Sequence, residues 1–557
     1  MRNAMSEESD RAMPPASASL PPLNRLWPFA GGDIGDIGVD GRYVEEAQAK
    51  AGPDEVVARI DAVCICSSDI KIIRMGAAHP LFADRDLKRA PAVLGHEMAL
   101  TVCDVGEHWR GRFQPGDRLG VQPAITVEGV RRTVGMDLPG AFAQYIRLDA
   151  RVLAGSGPYV FPVPPGISAA TVAMLEPYSC VEAAYRPNCR TTLSAGGSLL
   201  VVGAEGADAI ALDMACPDAA AVTIVGGDIL RAWAGSRPIV AFDTLDAFFD
   251  APAGGPSYDD ILVLGRPDVF AIERLAPRLA KGGLMALVGT STGDAPVTVD
   301  AARIHYHELS FLGAPGPSLA EAFAPSRHRF APLSGGTMLI LGAGGAMGRI
   351  HVHRAIELPD GPATIIAASR KPGRCDSLEA DFGALARRHG KRLIVIRDDA
   401  VEETVARLTP GGCDDVVVVA PEVAAIERGA GMMKPDGMIV LFAGMPFGKA
   451  CRLPLGLVAS HGARFTGSTG SKVADQLAVL DGVVAGSLDL SGNLEAVAGF
   501  AALPDALKAV SEGRVSGKIA IYPSRLDLPV TPISSLRPAA TDGERWNLDD
   551  ERDLVGA

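Results

Sequence analysis

A strand–turn–helix pattern occurs twice in this 557-residue chain and constrains its fold more than any other feature. The first copy runs from Ser198 to Asp208 (SLLVVGAEGAD), and the second runs from Thr337 to Gly348 (TMLILGAGGAMG). Each is a short apolar run that enters a turn and then a helical pattern, which is how a dinucleotide-binding βαβ unit begins. Acidic residues, Glu205 and Asp208, interrupt the first turn, whereas the second keeps its glycines. The sequence therefore predicts one degenerate and one intact nucleotide-binding turn.

The intact turn and the strand after it indicate which cofactor binds. Glycines let the backbone approach a pyrophosphate and let the helix pack closely on the strand. NAD-specific enzymes usually place an acid at the end of the second strand, but this chain has Ser369-Arg370-Lys371 there. Because a basic residue accommodates a 2′-phosphate, we predict that NADP(H) is favoured over NAD(H). The predicted cofactor-binding residues are Gly342, Gly344, Gly345, Gly348, Ser369 and Arg370.

Strand-like apolar runs recur in the same order after both turns. The first set is predicted at residues 198–202, 221–225, 260–264 and 283–288, with a helix over 269–280. The second set is predicted at residues 337–341, 364–368, 393–396, 415–419 and 438–442. In the first copy the negative charge of Glu205 and Asp208 opposes the phosphate-binding field of a helix terminus. We therefore expect two tandem Rossmann-like doubly wound domains, of which the first is degenerate. It serves as scaffold or, alternatively, binds a different ligand whose hydroxyls contact Glu205 or Asp208.

Residues able to bind a metal lie in or just after an earlier β-rich region, between Glu55 and Asp149. Short β-like runs alternate there with Gly and Pro turns. The metal-binding fragments are Cys66-Ser-Ser68-Asp69, Gly95-His96-Glu97 and Leu175-Glu176-Pro177. Zinc in a catalytic site takes three ligands from Cys, His and carboxylate and keeps a fourth position for water or substrate. The fragments together therefore predict a metal site.

With Gly116-Asp-Arg118 and Gly140-Ala-Phe-Ala-Gln-Tyr145, these fragments resemble the zinc-dependent medium-chain dehydrogenase/reductase family. Within that family the chain looks most like the polyol and sugar-phosphate branch, and the closing Gly517-Lys-Ile-Ala-Ile-Tyr-Pro523 is similar to the same branch. The resemblance covers roughly residues 50 to 525. It implies an α/β chain with a GroES-like β-rich catalytic domain, here followed by the duplicated Rossmann-like domains.

The resemblance also implies roles for individual residues. Cys66 and His96 would be zinc ligands, and the third ligand would be either Glu97 or Glu176, between which the sequence does not choose. Ser68 matches the hydroxyl that relays the substrate proton toward solvent. Asp69 matches an acid that orients a metal ligand.

A single catalytic zinc is expected. The family's structural zinc uses four closely spaced cysteines after the Gly-Asp-Arg turn, and residues 120–140 contain no cysteine. We therefore expect no structural zinc. Cys64 has no counterpart in the family motif and is interpreted as a buried bystander.

The implied activity is hydride transfer between NAD(P)(H) and a polyol, a ketose or a sugar phosphate, with zinc as Lewis acid. Two other functions stay open. A retained cofactor could oxidise and re-reduce one sugar, which gives a redox-neutral epimerase or lyase. Alternatively, the chain could be a non-catalytic binding or assembly protein whose extra domain is a partner surface.

Composition indicates which classes of binding partner and which cellular compartment to expect. The net charge is −13 and no Lys/Arg-rich face is visible, so nucleic acid is not expected as a partner. No apolar run approaches the ~20 residues of a membrane span, so no membrane association is expected. Nine scattered cysteines fit a reducing cytoplasm. A small-molecule substrate is the expected partner, and a homo-oligomer is possible.

The expected domain organisation follows the motifs along the chain. It comprises a disordered N-terminal extension (1–30), a GroES-like zinc-binding domain (31–190), a degenerate Rossmann-like domain (191–330), an NADP-binding Rossmann domain (331–490), a C-terminal return to the catalytic domain (491–525) and a tail (526–557).

Overall fold

The computed structural model describes residues 20–154, 159–251, 257–289, 295–468, 470–537 and 545–556. The chain divides into two compact units, Met1–Glu182 together with Gly470–Ala557, and Ala183–Thr469. These divisions fall near the predicted boundaries at 190 and 490, and residues 470–490 group with the first unit. Within the described ranges, no helix is long and apolar enough to cross a bilayer.

The N-terminal part of the first unit is rich in strands. Its strands are β1 (Leu23–Leu26), β2 (Pro28–Phe29), β3 (Val44–Ala47), β4 (Val56–Cys64), β5 (Ala92–Val93), β6 (Glu97–Val105), β7 (Arg118–Val121), β8 (Ala124–Val127), β9 (Val130–Thr133), β10 (Tyr145–Leu148) and β11 (Val160–Pro162). Its helices are α1 (Ser67–Met75), α2 (Ala150–Leu153) and α3 (Ala169–Ala184), the last of which ends just inside the second unit.

The second unit begins with the degenerate half, which spans β12 to β18. Its strands are β12 (Ser198–Gly203), β13 (Ala221–Val225), β14 (Ile239–Phe242), β15 (Tyr258–Leu264), β16 (Leu279–Val288), β17 (Val297–Asp300) and β18 (Ser310–Ala314). Its helices are α4 (Asp228–Ala234), α5 (Leu245–Asp250), α6 (Val269–Leu275) and α7 (Ala301–Tyr306). Except for β17, the strands form a parallel sheet in the order β14-β13-β12-β15-β16-β18.

The intact half, which spans β19 to β25, repeats this topology. Its strands are β19 (Thr337–Leu341), β20 (Thr364–Ser369), β21 (Arg392–Arg397), β22 (Cys413–Val418), β23 (Met433–Leu441), β24 (Ala450–Leu453) and β25 (Arg464–Gly467). Its helices are α8 (Ala346–Glu357), α9 (Pro372–Arg388), α10 (Val401–Leu408), α11 (Val423–Gly431) and α12 (Gly456–His461). The parallel order is β21-β20-β19-β22-β23-β25, which matches the order of the degenerate half.

The C-terminal segment completes the sheet of the first unit. Its elements are α13 (Val473–Val484), β26 (Leu494–Gly499), α14 (Leu503–Ser511), β27 (Lys518–Tyr522), β28 (Thr531–Pro532), α15 (Ile533–Leu536) and α16 (Leu548–Val555). Strand β27 pairs with β4 in the order β11-β7-β6-β4-β27-β26-β28, so the return predicted for residues 491–525 is present. One hydrophobic core joins side chains of β4 and β6 to those of β26, β27 and α14.

A shared polar anchor marks the two halves as duplicates. In the degenerate half the buried Asp260 of β15 pairs with Arg190 at 2.9 Å and accepts a backbone N–H from the turn before β12. In the intact half Asp415 of β22 pairs with Arg329 and accepts a backbone N–H from the turn before β19. Because each carboxylate is paired and hydrogen-bonded, its burial is tolerated. In each half, these contacts connect the turn before the first strand to a central strand of the sheet.

The first copy lacks the helix that follows the turn in the second copy, in addition to its missing glycines. Between β12 and β13 the structure has only a short 3-10 turn, Ala207–Ala209, where the intact half has the 12-residue α8. The helix expected after the first turn is therefore absent. The strand register also aligns Glu205 with Gly344 and Asp208 with Met347. Without a helix N-terminus, the degenerate turn lacks the field that binds phosphate.

Two further expectations need correction. The predicted helix over 269–280 ends at Leu275, because Pro277 lies in a 3-10 turn directly before β16. Of the predicted disordered extension 1–30, residues 1–19 lie outside the described ranges. Residues 20–30 are ordered, since β1 pairs with β3 and Trp27 is 2% exposed.

The tail, expected to be loosely attached, is docked through its last helix. The buried Glu551 of α16 accepts backbone N–H groups from Ala169 at 2.6 Å and Ala170 at 3.0 Å, and the hydroxyl of Tyr522 at 2.8 Å. Trp546 is 4% exposed. A carboxylate at this position satisfies donors at the N-terminus of α3, the helix that carries Glu176.

Candidate functional site

Three predicted metal ligands meet in the first unit. Strands β4 and β6 are antiparallel neighbours with Cys64 opposite Glu97. Cys66 follows β4 as the residue before α1, and His96 directly precedes β6. The ligand atoms of Cys66, His96 and Glu97 all lie within 4.8 Å of one another. His96 and Glu97 are buried, and Cys66 is partly exposed.

Asp69 and Ser68 hold this cluster from α1. The fully buried Asp69 accepts the backbone N–H of Cys66 with Oδ2 at 2.9 Å, and its Oδ1 lies 3.4 Å from Nδ1 of His96. The hydroxyl of Ser68 lies 3.3 Å from Nε2 on the other side of the His96 ring. One carboxylate therefore lies against two of the candidate ligands, and Nε2 of His96 lies beside a hydroxyl.

Lys518 is a site residue that the sequence analysis missed. Its ammonium group, 2% exposed, donates to Oε1 of Glu97 and also to the backbone oxygen of Ile65 at 3.5 Å. Burial alone would lower the pKa of Lys518, but the neighbouring Glu97 and Cys66 more than offset this, so the pKa is raised. The available signal was a single charged residue in the otherwise apolar strand Lys518–Tyr522.

Glu176 lies beside the cluster rather than in it. Helix α3 carries Glu176, and the thiol of Cys180 donates to its Oε1 at 3.5 Å. Burial raises the pKa of Glu176, and the neighbouring Glu97 acts in the same direction while His96 opposes both. Among the described residues, the group close enough to share one ion contains Glu97 and not Glu176.

The cluster fits a zinc ion. Oε2 of Glu97 is buried and has no hydrogen-bond partner among the described residues, although Oε1 is held by Lys518. An unpaired buried oxygen is costly unless something binds it. A thiolate, an imidazole and a carboxylate around one point form a donor set that zinc takes, with a further position left open.

The intact turn is shaped for a close backbone approach. Gly342 has φ +88°, a conformation that favours glycine. A Cβ on Gly344 would lie 2.3 Å from Oγ of Ser369, and one on Gly348 would lie 2.3 Å from the oxygen of Gly342. Gly345 differs, because an added Cβ there would meet nothing nearer than 3.9 Å. Gly344 and Gly348 thus allow the turn to close, while Gly345 borders open space at the N-terminus of α8.

Arg374 is a second residue that sequence reasoning missed. The predicted Arg370 is exposed and pairs with Glu422 at 2.8 Å. Arg374, one helical turn later in α9, places Nη1 3.9 Å from the position of a Cβ on Gly345. Its Nε is buried and has no partner in the described part of the chain. Arg370 precedes α9, so no helical spacing in the sequence links it to Arg374.

Comparison with known proteins bears on the first unit. A family profile described as the alcohol dehydrogenase GroES-like domain matches residues 52–156. This stretch contains Cys66, Ser68, Asp69, His96 and Glu97. The chain carries an alcohol dehydrogenase GroES-like domain.

Curated relatives and solved structures extend the comparison. L-sorbose 1-phosphate reductase of Klebsiella pneumoniae is 25% identical over 290 residues, which is 47% of this chain and 70% of that protein. Sorbitol dehydrogenase of Mus musculus is 29% identical over 198 residues, which is 34% of this chain and 52% of that protein. The structure of 2R,3R-butanediol dehydrogenase from Bacillus subtilis covers 90% of this chain and 99% of its own at a TM-score of 0.51 and 15% identity.

These matches confirm the resemblance to the zinc-dependent medium-chain dehydrogenase/reductases and the predicted α/β fold class. The butanediol dehydrogenase structure supports the fold alone, since its sequence identity is low. Over part of its length the chain is thus similar to relatives named as a reductase and a dehydrogenase.

Lys518→Met in the GroES-like unit is expected to destabilise the metal-free protein by about 3–5 kcal/mol, because it leaves the buried Glu97 without its cation. The free energy of unfolding would be measured by urea denaturation in the presence of a chelator. The double variant Lys518→Met/Glu97→Gln should recover part of the loss, since it removes the uncompensated charge. The exposed Lys508→Met is the control, and an equal effect there would contradict the importance of the buried pair.

Proposed function

We propose that this chain is a zinc-dependent, NADP(H)-preferring oxidoreductase that acts on an alcohol or carbonyl group of a polyol, ketose or sugar phosphate. The observation that carries the proposal is the cluster of Cys66, His96 and Glu97, whose ligand atoms lie within 4.8 Å of one another. The intact glycine turn in the same chain supports the nicotinamide cofactor. A binding protein without chemistry has no physical need to keep both.

Each side chain of the cluster has a proposed task. Cys66, His96 and Glu97 would hold the zinc, which when bound supplies a Lewis acid for a substrate oxygen. Asp69 would keep the His96 ring oriented, since its Oδ1 lies 3.4 Å from Nδ1 of that ring. Ser68 is partly exposed, and its hydroxyl can therefore pass a proton between a substrate oxygen and solvent.

Glu176 is proposed as a neighbour that tunes the site and not as a first choice of ligand. Its carboxylate is engaged by the thiol of Cys180, whereas Glu97 presents an unpaired oxygen. It lies close enough to both Glu97 and His96 to alter their charge balance. Replacement of Glu176 should therefore affect turnover more than zinc content.

The substrate class rests on the names of the relatives. The K. pneumoniae relative is named for a sugar phosphate and the mouse relative for a polyol. Both substrates carry a secondary alcohol or ketone that zinc could polarise. We therefore propose polyols, ketoses and their phosphates as the compounds to assay first.

The direct test is titration of the full chain with NADPH and NADH, followed by fluorescence, on protein whose zinc content has been measured. We expect about one zinc per chain and tighter binding of NADPH. Absorbance of NADPH is then followed with ketoses and ketose phosphates. Zinc near zero together with no nucleotide binding would overturn the proposal, and substrate turnover with unchanged cofactor absorbance would favour the redox-neutral alternative.

Arg374→Ala is expected to weaken NADPH binding by about tenfold or more and NADH binding by less, because a charge-assisted bond to phosphate is lost. Arg370→Ala is the matched comparison and should have a smaller effect, since Arg370 already pairs with Glu422 on the surface. Dissociation constants for both nucleotides are the measurement. Equal losses for the two nucleotides would place Arg374 at the pyrophosphate instead of the 2′-phosphate.

A further inference from the structure

The two halves of the second unit meet about an internal two-fold. Strand β17 of the degenerate half pairs antiparallel with β24 of the intact half. Thr298 lies opposite Arg452 at the centre, with Val297 opposite Leu453 and Val299 opposite Cys451 on either side. Since β17 and β24 are equivalent strands, this register is unchanged when the halves are exchanged. Such self-complementary pairing is the mark of an isologous interface between two copies.

The helices beside these strands follow the same symmetry. A Cβ on Gly313 of β18 would lie 2.8 Å from Cα of Ala459 in α12. A Cβ on the equivalent Gly467 of β25 would lie 2.7 Å from Cα of His305 in α7. Each half therefore presses one helix against a glycine in the last strand of the other. Apolar residues of both halves belong to one hydrophobic core, so the contact is continuous.

The degenerate half also holds residues 442–449 of the intact half. Asp300 accepts the backbone N–H of Gly448 with Oδ2 at 2.8 Å. The Tyr306 ring lies 5.4 Å from that of Phe447, and a Cβ on Gly444 would lie 2.3 Å from the Tyr306 hydroxyl. Nδ1 of His305 lies 3.0 Å from the oxygen of Leu441, at the end of β23.

The held segment borders the nucleotide crevice. It leaves the carboxyl end of β23, and Phe442 donates its backbone N–H to the oxygen of Val418 at the end of β22. The Phe442 ring lies 4.5 Å from that of His351 in α8, the helix that follows the intact turn. Ligands of parallel sheets bind outside the carboxyl ends of the strands. Residues 442–449 therefore form one wall of that crevice.

We propose that the degenerate half takes the place of a second subunit. Related to the intact half by an internal two-fold axis, it covers the face on which an identical half would dock. Through Asp300 and Tyr306 it also positions residues 442–449 against the nucleotide. This inference rests on the proposed nucleotide site at Gly342–Gly348. It explains why a half without its own phosphate-binding helix keeps the edge strands and α7. It also predicts a monomer, in place of the homo-oligomer allowed by the sequence.

Asp300→Asn tests the positioning role in the full chain. Asp300 also caps α7 by accepting the N–H of Ala302 at 3.0 Å, and an Asn oxygen can keep that bond while its amide group no longer accepts from Gly448. The matched control is Asp268→Asn, because Asp268 caps α6 in the same half by accepting the N–H of Ala271. We expect Asp300→Asn to weaken NADPH binding about fivefold and to speed amide exchange in residues 442–449. Asp268→Asn should change neither.

The outcomes separate this inference from the proposed function. Monomeric mass by light scattering, with both effects confined to Asp300→Asn, supports the inference. Unchanged NADPH affinity and exchange in Asp300→Asn, or a stable dimer of the full chain, would overturn it. A wild-type chain that binds no nucleotide would instead contradict the proposed function, and amide exchange in residues 442–449 would still decide whether the degenerate half holds this segment.

Discussion

Replacing Gly345 with Asp is expected to weaken NADP(H) binding by about 100-fold or more while the fold is retained. Gly345 has an ordinary φ of −95° at the cap of α8, and an added Cβ meets nothing nearer than 3.9 Å. Asp is also a favoured residue before a helix, so stability should stay the same or rise slightly. Its carboxylate would repel a bound pyrophosphate by about 3 kcal/mol at an effective dielectric near 20. Nucleotide titration and thermal unfolding measure the two effects.

Gly227→Asp provides a matched control in the degenerate half. Gly227 caps α4 with φ −72°, and an added Cβ there meets nothing within 4 Å. The same chemical change should therefore leave nucleotide binding unaltered. If Gly227→Asp weakened binding as much as Gly345→Asp, the assignment of the intact turn as the cofactor site would be wrong.

Cys66→Ala is expected to remove the zinc and to lower turnover by about 1,000-fold or more, because several kcal/mol of charge stabilisation are lost with the metal. Cys66 supplies the thiolate of a donor set whose other members are buried. Zinc per chain would be measured by mass spectrometry after dialysis, and turnover on the best substrate of the ketose panel. A chelator should reproduce the loss in the wild-type chain, and added zinc should reverse it there but not in the variant.

Cys64→Ala is the control for this change. Cys64 lies two residues earlier and is fully buried, and burial raises the pKa of its thiol. A protonated thiol does not bind zinc. The variant should therefore keep its zinc and lose only some stability. Zinc loss in Cys64→Ala and not in Cys66→Ala would exchange the roles assigned to the two residues.

The duplication could be predicted because local patterns repeat. Apolar runs and turn residues placed strands β12, β13, β15 and β19 to within a few residues of their observed bounds. The absence of a helix after the first turn could not be predicted in the same way. Residues 207–220 contain alanines and other helix-compatible side chains, yet only Ala207–Ala209 form a short 3-10 turn. Tertiary contacts outweigh weak local propensity there.

The metal ligands could be proposed as a set but not ranked. The sequence fragments identify four candidate ligands: Cys66, His96, Glu97 and Glu176. They offer no ground for choosing between the two carboxylates as the third ligand. Two contacts distinguish them: the Lys518 ammonium on Glu97, which is long-range, and the Cys180 thiol on Glu176, which lies one helical turn along α3. Lys518 lies 421 residues from Glu97 in the chain, so no local pattern links the two. Arg374 was missed for a related reason, because only the fold brings α9 against Gly345.

The α/β class and the unequal state of the two turns could be predicted from the sequence, because they depend on short-range periodicity and on residue types at close spacing. The GroES-like region was an expectation from the resemblance of its motifs to a known family. The tertiary structure showed that Glu97 and not Glu176 lies with Cys66 and His96, and that the last helix caps α3. It also showed that the degenerate half meets the intact half about an internal two-fold. These features depend on contacts between residues far apart in the chain, and such contacts exist only once the strands have paired and the cores have packed.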